Sequence, residues 1–442
     1  MFDKSKCKFI ILLLSLSVIY ALWLTAFWPG VLGQDSLAVI LEVESNRSIQ
    51  ANKPAFWFLF NDLLYGPWRL VETPIIIQSA ITILVLARIL NWMLDNRQYK
   101  SFLYCLFFIA LAPSVLYYST ALYSDGIYTI SLIGMLFEIW LSFKSKNINR
   151  TSMAMMFITI PFALFARPNG LINTLAIISL FFALHGNNRW KLALIAIPWC
   201  VLGIFATTHY KYDAPMGSIF PLALYETVGF LEHRPMGLWE HNQPRITEKS
   251  VAALTSNGAT LELISKYYDH YYWDPLIFST AGPALSSLSP KAKKTIVREF
   301  FKYNLWHNFP AFMASRVNVF LYAAMANGGI PPPESADYIL GQTKSRSQVH
   351  FRDTGIHHFF LAAYNFTLKY RALFWAPWLG LFLTIATTKR ALQLRDKAGL
   401  LICSILTLQL AAIFFFSIAG EYRYLLTFFI APLVLLPILN EA

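Results

Sequence analysis

Charge is scarce in this chain. Asp, Glu, Lys and Arg make up only 14% of its 442 residues, hydrophobic residues make up 56%, and the mean hydropathy is +0.48. A soluble surface needs more charge than this, so a string of water-soluble domains is excluded and a multi-span membrane protein is expected. Acids are scarcer than bases, which leaves a net charge of +12. That excess does not call for nucleic acid, because many Lys and Arg sit in short loops between apolar segments, where basic residues set orientation. Cysteine is almost missing too. Cys7 lies in a basic tail, and Cys105, Cys200 and Cys403 lie inside apolar runs. None has zinc-site spacing, and no disulfide framework is visible. There is no internal repeat and no low-complexity tract. No A-x-A site follows the first apolar run, which is longer than the roughly 7–15 residues of a signal-peptide core, so it is expected to stay as an anchor.

What is present is a series of apolar segments at 9–28, 73–92, 101–118, 126–143, 152–166, 171–185, 192–208, 371–388, 398–418 and 424–440. These predict an all-α polytopic membrane protein with about ten transmembrane helices. The N-terminal tail holds Lys4, Lys6 and Lys8, and the loops "DNRQYK", "KSKNINR", "GNNRWK" and "KRALQLRDK" are short and basic. The alternate loops, "YSTALYSD", "RPNG" and "GEYRY", carry few positive charges. The positive-inside rule then puts both termini and the basic loops in the cytoplasm.

Three parts follow: a seven-span module over 1–208, an extracytoplasmic and mainly helical domain over 209–370, and a three-span module over 371–442. The first outer loop, 29–72, contains "SLAVILEVES" and "KPAFWFLFNDLLYGPW", amphipathic or aromatic stretches expected to form interfacial helices. In the large block, Ser289-Pro290 reads as a helix start with Ser as N-cap, the helix running toward Pro310, and "AFMASRVNVFLYAAM" as a second helix.

On this topology the scattered ionisable residues converge. Asp35, Lys53, Asp125, Arg167, Glu421 and Arg423 all fall at or just past the outer ends of spans, with Gln34 beside Asp35. Ionisable groups at such depths are costly and are usually paired or functional. A carboxylate can take a proton from an attacking hydroxyl, and Arg or Lys can hold charge building on a phosphate. The residues alone point to an enzyme or transporter of a phosphate-bearing ligand at the outer leaflet. His357-His358 are adjacent and cannot share a ligand face as an i, i+4 pair would.

The string "PG…GQDS" followed by "KPAFWFLF" resembles the first outer loop of GT-C glycosyltransferases, which use lipid-phosphate-linked sugars. "YSDGIYTISLIG" is similar to that family's second acidic site. "FARPNGLI", "LWHNFPAFMASRVNVF" and "GEYRYLLTFFIAPLVLLP" resemble later family segments, in the family's order. The resemblance implies an inverting sugar transfer from a polyprenyl phosphate to an extracytoplasmic glycan, such as O-antigen, another lipopolysaccharide part or a wall polymer. The setting would be a bacterial inner membrane. Asp35 would be the base, and Asp125 would orient the acceptor or help hold a divalent cation. Lys53, Arg167 and Arg423 would face the donor phosphate, with Gln34 and Glu421 in support. A flippase and a donor synthase are implied as partners. Lys53-Pro54-Ala55 departs from the family's His-Pro-Pro, so no proton transfer is carried over to Lys53.

Plainer readings stand beside these. Asp35 and Asp125 suit helix caps, Arg167-Pro168-Asn169-Gly170 suits a turn, and Glu421 with Arg423 suits a local ion pair. "KYYDHYYWD" offers either sugar-stacking faces or loop packing. A transporter or flippase of a phosphate-bearing lipid, an O-antigen ligase or polymerase, and a non-catalytic scaffold remain alternatives.

Overall fold

Apolar runs that leave water can satisfy their backbone only internally, and helices result. The computed structural model describes residues 4–49, 53–210, 219–232 and 246–441. It is 76% helix, with no strand among the described residues. The first eleven α-helices are α1 (Lys4–Ala26), α2 (Gln34–Glu44), α3 (Ala55–Leu64), α4 (Glu72–Asp95), α5 (Tyr99–Cys105), α6 (Pro113–Thr120), α7 (Ser124–Ser145), α8 (Arg150–Phe165), α9 (Thr174–Ala183), α10 (Asn187–His209) and α11 (Ile219–Glu232). Later helices are named by their residues.

Among the described residues, six helices are long and apolar enough to cross a membrane: α1, α4, α7, α10, Lys397–Phe416 and Tyr422–Glu441. The pair Tyr99–Ala110 and Pro113–Thr120, bent by 54°, makes a seventh if it is one broken span. The other three expected spans are helical but short: α8 has 16 residues, Trp378–Leu394 has 17, and α9 has 10 after a 3₁₀ turn at Pro168–Asn173. The Arg167-Pro168 step explains that interruption, since Pro supplies no N–H and forces its predecessor into extended backbone. Exposed apolar side chains run along α1 (Ile10, Leu14, Val18, Leu22) and α10 (Leu194, Ile197, Val201, Ile204). Stripes of that kind fit lipid contact, and the apolar helices are consistent with a multi-pass membrane protein.

The described chain divides into two compact units. The first comprises Met1–Lys211, Ile330–Gln409 and Leu425–Ala442, and the second Tyr212–Gly329 and Leu410–Tyr424. The expected boundaries at 209–370 therefore do not hold as one block. Residues after Ile330 pack on the first unit, because backbone of the first outer loop supplies their hydrogen-bond partners. Arg346 N–H donates to the Arg69 carbonyl at 2.8 Å, and Val71 N–H to Ser347 Oγ at 2.9 Å. Residues 211–218 and 233–245 of that expected block lie outside the described residues.

Within the first unit α7 is the centre, buried from Asp125 through Trp140 along nearly every position. The basic loops gather at one end. Lys8 pairs with Asp95 at 3.0 Å, Lys144 with Glu441 at 2.5 Å, Lys191 Nζ donates to the Ile148 carbonyl at 3.1 Å, and Asn440 bonds Ser101 at 2.8 Å. The ends of α1 and α8 meet the starts of α4 and α7 at the other end, as described below.

The second unit has its own apolar core, with Phe220, Leu224 and Val228 of α11 against Ile296, Phe300 and Phe312. Ser289 caps the helix Pro290–Glu299, its hydroxyl accepting the Ala292 N–H at 3.2 Å, as its sequence predicts. That helix loosens into a π-turn at Phe300–Asn304, and Pro310 opens the next helix, Phe309–Ala324. The tyrosines of "KYYDHYYWD" are spent on packing. Tyr268 stacks on Tyr225, and Tyr271 on Tyr322 at 3.9 Å between ring centroids. A buried ion pair, Arg316 with Glu226, ties α11 to Phe309–Ala324.

A second buried pair lies inside the first unit. Arg88 Nε donates to Glu138 Oε1 at 2.8 Å, and Ser152 donates to Glu138 Oε2 at 2.6 Å, so α4, α7 and α8 are joined. The Glu138 side chain is 1% exposed. Removing one partner strands the other charge in an apolar interior, at a cost of about 3–5 kcal/mol. Glu138→Ala should therefore lower the thermal midpoint sharply in detergent, and Arg88→Met with Glu138→Leu should restore most of the loss. A single-variant loss under about 1 kcal/mol would mean that the pair is hydrated.

Candidate functional site

The turn after α1 is built by pairing with the segment before α7. Val31 N–H donates to the Thr120 carbonyl at 3.0 Å and Leu122 N–H to the Val31 carbonyl at 3.1 Å, a parallel bridge of Val31 with Ala121. Two chains leaving a parallel bridge run side by side into the next element. Here each starts a helix, and Asp35 and Asp125 both occupy first turns. The amide of Gln78, fully buried in α4, donates to the carbonyls of Tyr118, Ser119 and Ala121 at 2.9–3.1 Å. Ser36 Oγ accepts the Gly33 N–H and donates to the Leu122 carbonyl, both at 3.2 Å.

Two glycines allow this close approach. Gly30 has φ +132°, and a Cβ there would lie 2.9 Å from the Thr120 carbonyl oxygen. A Cβ on Gly33 would lie 1.8 Å from the Tyr123 hydroxyl oxygen and 2.9 Å from Pro331 Cγ. Pro331 arrives from the segment that follows the second unit. Tyr117 donates to its carbonyl at 2.7 Å, and Ser335 Oγ donates to the Leu32 carbonyl at 2.5 Å.

Neither acid is an N-cap. The cap of α2 is Gly33 and that of α7 is Tyr123, so both carboxylates sit where helix N–H groups and the helix dipole favour negative charge. Asp35 pairs with Lys53 at 2.7 Å, their side chains 30% and 24% exposed. Gln34 is exposed beside it. Lys53 is held because Phe56 of α3 packs edge-on against Phe162 of α8 and Trp199 of α10. Asp125, 6% exposed, pairs with Arg167. Below them Asn169, Asn173, Tyr128 and Gln409 form one polar network: Asn169 Nδ2 donates to Gln409 Oε1 at 2.7 Å, and Gln409 Nε2 to Asn173 Oδ1 at 2.8 Å. The "RPNG" turn is thus both a turn and the anchor of Arg167.

Glu421 and Arg423 pair with each other on the second unit. Each of the three cations expected at a phosphate therefore has an acid partner, and the two acids of the first unit belong to adjoining helix starts. Among the described residues no three His, Cys, Asp or Glu groups gather where a metal ion could be held. With Asp125 engaged by a guanidinium, these residues do not fit the divalent cation suggested for the second acid. His357 is buried against Phe27 and faces Glu334 at 3.4 Å, an anchoring position.

Sequence reasoning missed Gln78, Tyr123 and the whole 330–347 segment as parts of this end. Against family models, curated proteins and solved structures, the chain finds no match in any of the three comparisons.

Gly33→Ala should disturb this end, because its methyl group displaces Tyr123. Relief by Tyr123→Phe in the same chain, read by thermal unfolding, would confirm that the hydroxyl is the obstacle. Equal stability of Gly33→Ala and wild type would contradict it.

Proposed function

We propose that the chain is an inverting GT-C-type glycosyltransferase. It would move a sugar from a polyprenyl phosphate to an extracytoplasmic glycan such as O-antigen, another lipopolysaccharide part or a wall polymer. The observation that carries this is the pairing of two helix starts, each bearing an acid with a cation against it. Ten crossings, both termini in the cytoplasm and a bacterial inner membrane belong to the same reading. The gathering of the basic loops at the far end supports that orientation.

Exposure separates the roles of the two acids. The Asp35–Lys53 pair is partly solvated, and pairs of that kind contribute about 0–1 kcal/mol. An incoming phosphate can draw Lys53 away at little cost. Asp125 is buried, so breaking its pair with Arg167 costs several kcal/mol, about 3–5 by analogy with other buried pairs. Asp35 is therefore the base and Asp125 the positioner of Arg167. The acceptor hydroxyl gives its proton to Asp35 while its oxygen bonds to the anomeric carbon from the face opposite the phosphate. The carbon–oxygen bond to phosphate breaks, its electron pair leaves on polyprenyl phosphate, and the configuration inverts. Lys53 and the Arg167 guanidinium take up the charge on the leaving group.

The test is sugar transfer by purified protein given a panel of polyprenyl-phosphate hexoses and an acceptor glycan. Asp35→Asn should cut turnover by about 10²–10⁴-fold while remaining folded. Equal release of polyprenyl phosphate by both proteins would remove Asp35 from the chemistry. Lys53→Gln should lower kcat/KM for the donor by about tenfold or more, as expected for loss of a charged contact.

A further inference from the structure

A cleft of ≈ 600 Å³ opens on the first unit, lined by Trp28, Glu72, Arg346, Gln348, His350 and Phe351 among others. We propose that it binds a neutral saccharide chain, the acceptor of the transfer proposed above; the word acceptor rests on that reading, but the ligand class does not.

The cleft is built by side-chain hydrogen bonds between distant parts of the chain. Lys344 N–H donates to Glu44 Oε1 at 2.8 Å, and Ser345 Oγ to the Arg69 carbonyl at 3.0 Å. Ser347 Oγ accepts the Val71 N–H at 2.9 Å and donates to the Glu72 carboxylate at 2.5 Å. These bonds fix the strip of chain that carries Arg346, Gln348 and His350, and they aim Glu72. Tyr65 donates to the same Glu44 carboxylate, and burial with that hydrogen bond pushes its phenol well above the usual range, so it stays a donor.

The lining chemistry selects the ligand. Trp28 and Phe351 supply flat apolar faces of the kind that stack on sugar rings. Arg346, Gln348 and Glu72 supply planar, two-pronged hydrogen-bonding groups suited to vicinal hydroxyls. One carboxylate offsets one guanidinium, so no net field favours a phosphate. Polar and apolar surface alternate in the lining, as they do on the two faces of a sugar ring. The volume lies within the range of small-ligand sites. Position agrees as well: Trp28 stands on the loop that carries Asp35, and Glu72 opens α4 just ahead of Ile75, which touches Gly30.

The experiment uses the full chain in detergent with neutral di- to tetrasaccharides released from bacterial surface polysaccharide. Inorganic phosphate and polyprenyl phosphate are the comparison ligands, and saturation-transfer NMR is the readout. Wild type and Asp35→Asn should bind the saccharide equally, since binding needs no base. Trp28→Ala and Arg346→Gln should each weaken it about tenfold. Arg346 is exposed, so its variant keeps the test open if Trp28→Ala fails to fold. No binding of any saccharide by wild type, unchanged binding by Arg346→Gln, or binding of phosphate in preference to saccharide would each overturn the proposal. Saccharide binding at the cleft without transfer on any donor would sink the transferase reading alone. Transfer with an unchanged acceptor KM in both variants would sink the cleft alone.

Discussion

A few backbone hydrogen bonds between residues 31 and 120–122 hold this end of the first unit together. Polar backbone near a bilayer surface must find partners, and a single bridged residue pair cannot hold by itself. Gln78 supplies what the bridge lacks. Its amide, buried within α4, satisfies the carbonyls left over as α6 ends. Trp23 adds a bond from its indole to Thr120 Oγ1 at 3.0 Å, so α1 is tied to the same stretch. Once this junction exists, two helices must start side by side, and the acids in their first turns follow.

The two acids then meet different surroundings. Asp125 lies over the Asn169–Asn173–Gln409 network, which pins the turn carrying its arginine. Asp35 is more open to solvent, its side chain 30% exposed against 6% for Asp125. Its lysine lies just ahead of α3, which is held by aromatic packing of Phe56 and Phe60 on Phe162 and by the bond from Tyr65 to Glu44. A rigid pair and an exchangeable pair result from one junction, and that asymmetry is why the chemistry is assigned to Asp35.

Much of this was legible in the sequence, for a physical reason in each case. Apolar runs report helices because backbone in an apolar medium has no other choice, so every expected span is helical for much of its length. Short basic loops gather at one end because each pair of crossings returns the chain to the same side. Asp35 and Asp125 were legible as lying near segment starts, and both fall in the first turns of helices that leave the Val31–Ala121 bridge. The segment after Ile330 was not legible. Its partners at Arg69 and Val71 are some 276 residues away in sequence, and backbone-to-side-chain bonds leave no pattern in composition. The pair of Arg88 with Glu138 escaped notice because each residue alone reads as a tolerated charge inside an apolar run.

The Pro331–Arg352 stretch bears on how an acceptor would reach Asp35, the proposed base. It touches the Asp35 turn through Pro331 and Ser335, and it supplies the cleft wall through Arg346 and Gln348. Between these two attachments the chain is held by Arg352, which pairs with Asp337 and donates to the Glu334 carbonyl at 2.7 Å. One continuous strip therefore fixes both the turn ahead of Asp35, the proposed base, and the surface where a saccharide would lie. A transferase must hold hydroxyl and carboxylate in register to within a fraction of an ångström, and a shared strip does this better than two independent loops, whose separate motions would add. On this argument the strip's internal ion pairs act on turnover through geometry. They need no contact with the sugar.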